Sequence, residues 1–452
     1  MENKKETAIE QTEQAEQIEK VEKTEQNGQS EKSGANKKGK GQKISIKRII
    51  VVLIIAISFV GGFFTRHFIE SEEVRTTSEI VSIIERYGHV VDEDGNLRKL
   101  SEGDYANALI NGLLDDYGRY YTKEEYQEVL NKQKGNYNGF GFTILLGAEF
   151  PMVASVIGNS PAENAGIRAG DTLISGQVGE QKVEFDKEYI GNLLDDLGST
   201  ATVLFEIERQ GQTHFISVTK SSYKAVYVHY YDNEGKVLFN TAGNQRLTDE
   251  KIDVDDQTAL IRIDSFEGDV AYQFGRALQC METNNRTKLI LDLRNNGGGY
   301  MSDLLDVSKY LIYNNGQKTV IAISKGKTSS KNFEMSSPIK NDNITDVVVL
   351  ANDGTASASE CLIGAMLYYG EKNFSLDKLI IEKNSFGTAT TYGKGIMQTT
   401  YLLTNGGALK LTTARILWPD NTTCIHGKGI STIAQNEVEA SDVIARAKEI
   451  LS

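Results

Sequence analysis

Val347-Val348-Val349-Leu350-Ala351-Asn352-Asp353-Gly354-Thr355-Ala356-Ser357-Ala358-Ser359-Glu360 is the stretch from which the fold is read. Its first four residues form a short apolar, β-branched run bounded by turn residues, the pattern of a buried strand. The apolar run Leu362 to Leu367 that follows reads as a helix. A strand that feeds a helix through a turn of small residues belongs to an α/β sheet. Such a turn lets a serine stand exposed above the sheet, which is the geometric idea of the nucleophile elbow, although no G-x-S-x-G is present. Taken alone, a plain helix N-cap at Ser357 or Ser359 explains the same residues.

The same punctuation occurs upstream. Lys288 to Leu293 reads as a strand and runs into Arg294-Asn295-Asn296-Gly297-Gly298-Gly299, then into a helical pattern through Leu304, Leu305 and Tyr310. Glycines between a strand and a helix leave backbone amides free. A phosphate cradle is one use, but neither phosphate-loop glycine pattern is present. An oxyanion hole is the other. With Ala259–Ile263 as a further strand, an α/β core is expected over 223–452.

A nucleophilic serine needs a base. His426 is one candidate. The other is Lys394, in Tyr392-Gly393-Lys394-Gly395-Ile396-Met397-Gln398. A lysine between two glycines and apolar, strand-like residues can be desolvated enough to lose its proton near neutrality. A polar neighbour such as Gln398 can orient its amine. A surface turn lysine is the plainer reading of that segment by itself.

Ahead of the core, residues 136–222 change to short β runs and glycines. Gly139-Phe140-Gly141-Phe142 opens one run, and Pro161-Ala162…Ala165-Gly166-Ile167…Gly170-Asp171 follows. A glycine-aromatic loop opening a strand offers successive amides to a carboxylate, and the strand edge can take up a peptide. The two motifs together resemble a PDZ domain, with Gly139–Phe142 at its carboxylate loop. Residues 67–135 read as a helical arm, in which Asp115-Asp116-Tyr117-Gly118 is a break and Thr122-Lys123-Glu124-Glu125 a capping box. The polar stretch from Tyr231 to Asp256 reads as an extra hairpin or a linker.

The N-terminus differs again. Residues 1–48 are polar, first rich in glutamate and glutamine and then basic at Lys37, Lys38, Lys40, Lys43, Lys47 and Arg48. Such a tail cannot bury a core and is expected to be disordered. Residues 49–66 begin with an uncharged apolar run ending at Arg66, long enough to cross a bilayer. A cleaved signal peptide is the rival reading. A single anchor fits the long preceding tail, and the basic flank puts that tail in the cytoplasm and the rest outside.

Composition excludes other classes. The 452 residues carry a net charge of −13, against a nucleic-acid partner. Three cysteines exclude a disulfide scaffold and a four-cysteine metal site, and five scattered histidines speak against a histidine metal centre.

Taken in order, Asp292–Gly299, Thr355–Glu360, Tyr392–Gln398 and Gly429-Ile430, after His426-Gly427-Lys428, resemble the carboxyl-terminal processing peptidases, the membrane-anchored, PDZ-bearing tail-specific serine proteases of bacteria. The resemblance runs from about residue 75 to the C-terminus and includes Leu113–Tyr121 and Tyr126. It implies Ser357 as nucleophile, Lys394 as general base, Gln398 as the residue positioning the lysine, and the amides of Ala358 and of Gly297 or Gly298 as oxyanion hole. It assigns His426 no role as base. It implies no metal and no organic cofactor, and peptide substrates with free C-termini; the helical pattern of the arm itself reads as a stalk or a self-association arm that could make a homodimer. The stretch from Ser357 to Lys394 is longer than is usual in that family, with Asn373–Lys378 and Asn384–Thr390 read as insertions. If they displaced the lysine, the chain would be a catalytically inactive, membrane-tethered PDZ adaptor or sensor that binds peptide tails.

Overall fold

The computed structural model describes residues 72–87, 90, 97–145, 150–185, 197–198, 200–239, 245–248, 251–370 and 374–452. The tail 1–48, the apolar span 49–66 and Asn373 lie outside the described residues. Among the described residues no helix is long and apolar enough to cross a membrane. The chain divides into two compact units, residues 1–99 and 100–452.

The first unit carries helix α1 (Glu72–Tyr87). The second opens with α2 (Glu102–Leu113), capped by Ser101 and Asp104 in a reciprocal capping box. A strand β1 (Arg119–Tyr121) and helix α3 (Lys123–Gln133) follow, the latter started by the expected Thr122–Glu125 box. The arm is therefore not wholly helical. Its expected break at Asp115–Gly118 leads into a strand whose partner lies almost three hundred residues downstream, a pairing that no local pattern reveals.

Next come β2 (Asn136–Gly139), β3 (Phe142–Leu145), β4 (Met152–Val156), the short helix α4 (Pro161–Ala165), β5 (Thr172–Val178), β6 (Gln181–Glu184), β7 (Thr202–Arg209), β8 (Gln212–Thr219) and β9 (Ser221–Lys224). Strands β3-β4-β5-β7-β8 form a sheet with β6 added to β5, and β2 pairs with β9. Phe140, Val153, Leu173, Phe185, Phe205 and Ile207 fill its own core. The Gly170-Asp171 signature has a structural use here: Asp171 is buried and takes Arg209 Nε at 2.6 Å and Nη2 at 2.7 Å.

The remaining chain builds an eight-stranded sheet from β10 (Val228–Tyr231), β11 (Lys236–Phe239), β12 (Gln245–Thr248), β13 (Thr258–Ile263), β14 (Lys288–Asp292), β17 (Asp346–Ala351), β18 (Leu379–Glu382) and β21 (Glu437–Val438), in the order 12-11-10-13-14-17-18-21. Of the two readings of Tyr231–Asp256, the hairpin holds: β11 and β12 pair antiparallel and extend the sheet beyond β10. Strands β13, β14, β17, β18 and β21 run parallel. Their continuous apolar runs follow from burial on both faces. Leu289, Ile290, Leu291, Val347, Val348, Val349 and Leu350 are all fully buried, between helices α5 (Val270–Thr283), α6 (Met301–Leu311) and α7 (Ala358–Tyr369) and the C-terminal α8 (Val443–Leu451). A second sheet holds β15 (Thr319–Gly326), β16 (Ser330–Met335), β19 (Ile396–Leu402) and β20 (Ala408–Leu417). The arm strand β1 joins it, pairing Arg119 with Lys410 and Tyr121 with Ala408.

Candidate active site

Strands β14 and β17 are parallel neighbours, with Asp292 opposite Leu350. Whatever follows their carboxyl ends therefore meets in one crevice, the usual site in open parallel sheets. After β14 comes the glycine cluster; after β17 comes the serine turn. Asparagines lace the two together. Asn352 Oδ1 accepts the Asn295 amide at 2.8 Å, Asn296 O accepts the Ala356 amide at 3.0 Å, and Thr355 Oγ1 donates to Leu293 O at 2.8 Å.

Ser357 and Ser359 now separate. Ser359 is fully buried and donates its hydroxyl to Asn296 O at 3.0 Å, which makes it a brace. Ser357 is partly exposed and sits at φ 58°, ψ −114°, immediately before α7. That conformation is sparsely populated for a residue with a Cβ and costs on the order of 1–3 kcal/mol, so its surroundings must impose it. Gly298 shows how closely they approach. At φ +103° it lies so near that a Cβ there would stand 2.8 Å from Ser357 Cβ and 2.9 Å from Ala356 O.

Of the amides expected to face an oxyanion, those of Ala358 and Gly297 donate to no acceptor among the described residues. The Gly298 amide does not share that freedom. It donates to Asn296 Oδ1 at 2.9 Å, and Asn296 is itself buried with its Nδ2 on Ile263 O at 2.8 Å. The glycine cluster thus leaves Gly297.

Lys394 is brought to the same crevice despite the long connection from Ser357. Residues 384–388 close on themselves, with Asn384 Oδ1 accepting the amides of Phe386 and Thr388 at 3.0 Å each. The chain then docks: the Tyr392 amide donates to Thr355 O at 3.0 Å. Gly393 has φ +86°, and a Cβ there would lie 2.6 Å from the Gly429 amide nitrogen, so the His426–Gly429 turn packs where a side chain would go. That turn explains the closing motif of the sequence pattern. His426 itself makes no side-chain hydrogen bond at its buried Nδ1 among the described residues.

A residue to which sequence reasoning gave no role organises the whole. Glu360, fully buried in the first turn of α7, accepts four hydrogen bonds. Its Oε2 takes the amides of Ser357 at 2.8 Å and Lys394 at 2.9 Å. Its Oε1 takes the Gly393 amide at 2.8 Å and the Thr391 hydroxyl at 2.5 Å. The signal available in the sequence was its place three residues after Ser357, the capping-box spacing. Arg294 adds a brace below, donating to Asp292 and, at 2.7 Å, to Glu382 at the end of β18.

The side chains of the expected triad are less tightly joined than their backbones. Among the described residues the Lys394 amine donates to neither Ser357 nor Gln398. Its Nζ lies 4.8 Å from the centre of the Tyr117 ring. Gln398, beside a bulge in β19, points its amide at Thr412 Oγ1, 3.4 Å away. Burial and then the nearby Lys410 charge hold the Lys394 pKa below the usual lysine value, while Asp115 opposes them. In the β domain, Phe140 is buried against Phe142 and Phe205, and the Phe140 and Gly141 amides donate to no backbone carbonyl among the described residues.

Residues 257–432 match the family described as Peptidase family S41. A "Probable CtpA-like serine protease" of Staphylococcus aureus (strain bovine RF122 / ET3-1) is 27% identical over 420 residues, 90% of this chain and 75% of its own length. Its counterpart in Staphylococcus saprophyticus is 26% identical over 409 residues, 88% of this chain and 75% of that one. Among solved structures, the photosystem II D1 C-terminal processing protease shares 22% identity over 70% of this chain and 77% of its own, with a TM-score of 0.43. The resemblance to the carboxyl-terminal processing peptidases is borne out by the match to that family over residues 257–432 and by these relatives, and the chain is a serine-type peptidase.

Proposed function

We propose that the chain is an extracytoplasmic endopeptidase with Ser357 as nucleophile and Lys394 as general base, anchored by residues 49–66. The observation that carries this reading is the shared carboxyl of Glu360, which takes the amides of Ser357 and Lys394 on one oxygen. In the reaction, the neutral Lys394 amine takes the Ser357 proton as Oγ bonds to the scissile carbonyl carbon. The carbonyl electrons move onto oxygen, where the Ala358 and Gly297 amides hold the charge. Collapse breaks the C–N bond, and the lysine ammonium gives its proton to the departing amine. Water then attacks the acyl-enzyme with Lys394 again as base, and the proton returns to Ser357 Oγ as the acid leaves. Gln398 positions the lysine once the amine turns toward the serine.

Residues 136–222 act as a PDZ domain that receives a substrate's free C-terminus at Gly139–Phe142. The helical arm supports self-association into a dimer. The deciding experiment is cleavage of an unstructured protein by the full chain. Ser357→Ala and Lys394→Ala abolish it, and His426→Ala retains it. Cleavage by Lys394→Ala at the wild-type rate would sink the dyad. A chain that binds tails, never cleaves them and leaves a fluorophosphonate probe unreacted would be the adaptor instead.

A further inference from the structure

Two sets of groups surround the Lys394 amine, and they pull its charge in opposite directions. The core supplies burial and Lys410 on β20, which favour the neutral amine. The turn after α2 supplies the Asp115 carboxyl and the face of the Tyr117 ring, both of which favour the ammonium. That turn is fastened in place: Tyr117 Oη lies 3.3 Å from Tyr392 Oη, two residues before the lysine. The Tyr117 hydroxyl is pushed up to about 12, first by this hydrogen bond and then by burial, with Tyr392, Asp115 and Asp116 adding to it. It therefore stays a neutral phenol through the working range. On the core side the Glu360 carboxyl is occupied by the Lys394 backbone amide.

Resting on the reading of Lys394 as the base, we propose that the Asp115–Tyr117 turn of the arm is a brake on catalysis, with the Tyr117 ring parking Lys394 as its ammonium, away from Ser357. To act, the lysine leaves the ring and gives up its proton. Tyr117 is thus a positioning residue that works against the reaction until the lysine is released. The helical arm, which among the described residues makes no hydrogen bond to the Ser357 or Lys394 side chain, acquires control over the base.

The test is the pH profile of kcat/KM for the full-length protein on fluorescein-labelled casein. Tyr117→Leu keeps apolar bulk and removes the ring face. Its acid limb is expected about half a unit lower, with a rate about threefold higher at pH values below the limb. Asp115→Asn is expected to move the limb the same way, and Tyr117→Phe, which keeps the ring, to restore the wild-type limb. A limb that stays in place or rises in Tyr117→Leu and Asp115→Asn overturns the brake, as does a Phe variant displaced as far as the Leu one. Wild-type cleavage by Lys394→Ala would instead overturn the assignment of the base, whatever the Tyr117 variants do.

Discussion

Glu360 Oε2 accepts the Lys394 backbone amide at 2.9 Å, so the helix that starts after the candidate nucleophile also holds the loop of the candidate base. The same oxygen accepts the Ser357 amide at 2.8 Å, which ties the two segments to one carboxyl. Removing this carboxyl strands four donors. Each buried unsatisfied donor costs about 1–3 kcal/mol, though such losses do not simply add. Glu360→Ala is therefore expected to lower the unfolding free energy of the core by about 3–5 kcal/mol and to abolish proteolysis. Denaturant titration checks the first, and an unshifted midpoint would contradict it.

If Lys394 is the base, as proposed, its ionisation sets the direction of the pH response. Burial holds its pKa below the ordinary lysine value of 10.5, so the amine becomes a competent base at a lower pH than a free lysine. With Lys394 as the proposed base, the rate is expected to rise with pH through that lowered pKa. Lys410 contributes to the lowering, so Lys410→Gln should move the acid limb to higher pH, by a few tenths of a unit on the order of a screened charge pair. A limb that moves down would show that Lys410 acts otherwise.

Gly298 allows a steric prediction. Gly298→Ala adds a methyl that meets Ser357 Cβ, Ala356 O and the Ala358 amide within 3 Å, at a φ that alanine avoids. Displacing the candidate nucleophile and one proposed oxyanion donor together should reduce kcat by about 100-fold or more, with less effect on KM. Steady-state kinetics distinguishes this from simple unfolding when circular dichroism is unchanged.

In the β domain, Asp171 is buried with a two-point contact from Arg209 and accepts the Arg168 amide at 2.8 Å. Arg209→Ala leaves that charge unpaired, at a cost of about 3–5 kcal/mol. The domain is expected to open and become protease-sensitive between β4 and β7 at temperatures where the wild type resists. Equal resistance in limited proteolysis would refute this.

Much of the core was legible in the sequence because its strands are buried on both faces and announce themselves as apolar runs. The strand–glycine–helix and strand–serine–helix junctions were legible for the same reason: small residues stand where two backbones must approach. Three features were not. The positive φ of Ser357 goes with the close approach of Gly298 and with the braces to Asn295 and Asn296, which follow another strand. The four bonds to Glu360 join segments distant in sequence, and a glutamate at a helix start reads equally well as ordinary capping. The arm strand Arg119–Tyr121 is too short to show a period and gains its identity from Ala408–Lys410. In each case the missing information is a long-range pairing.

That arm strand bears on where the chain can be cut. Strand β20 is flanked by β19 on one side; on the other, β15 covers only Ala414–Leu417, and β1 covers Ala408–Lys410. A fragment beginning after residue 135 would bare those backbone groups as an unguarded rim, ready to recruit a strand from a neighbouring molecule. A well-behaved protease is therefore expected only from versions that keep Arg119–Tyr121, and versions that lack it should be recovered as aggregates whatever their catalytic residues.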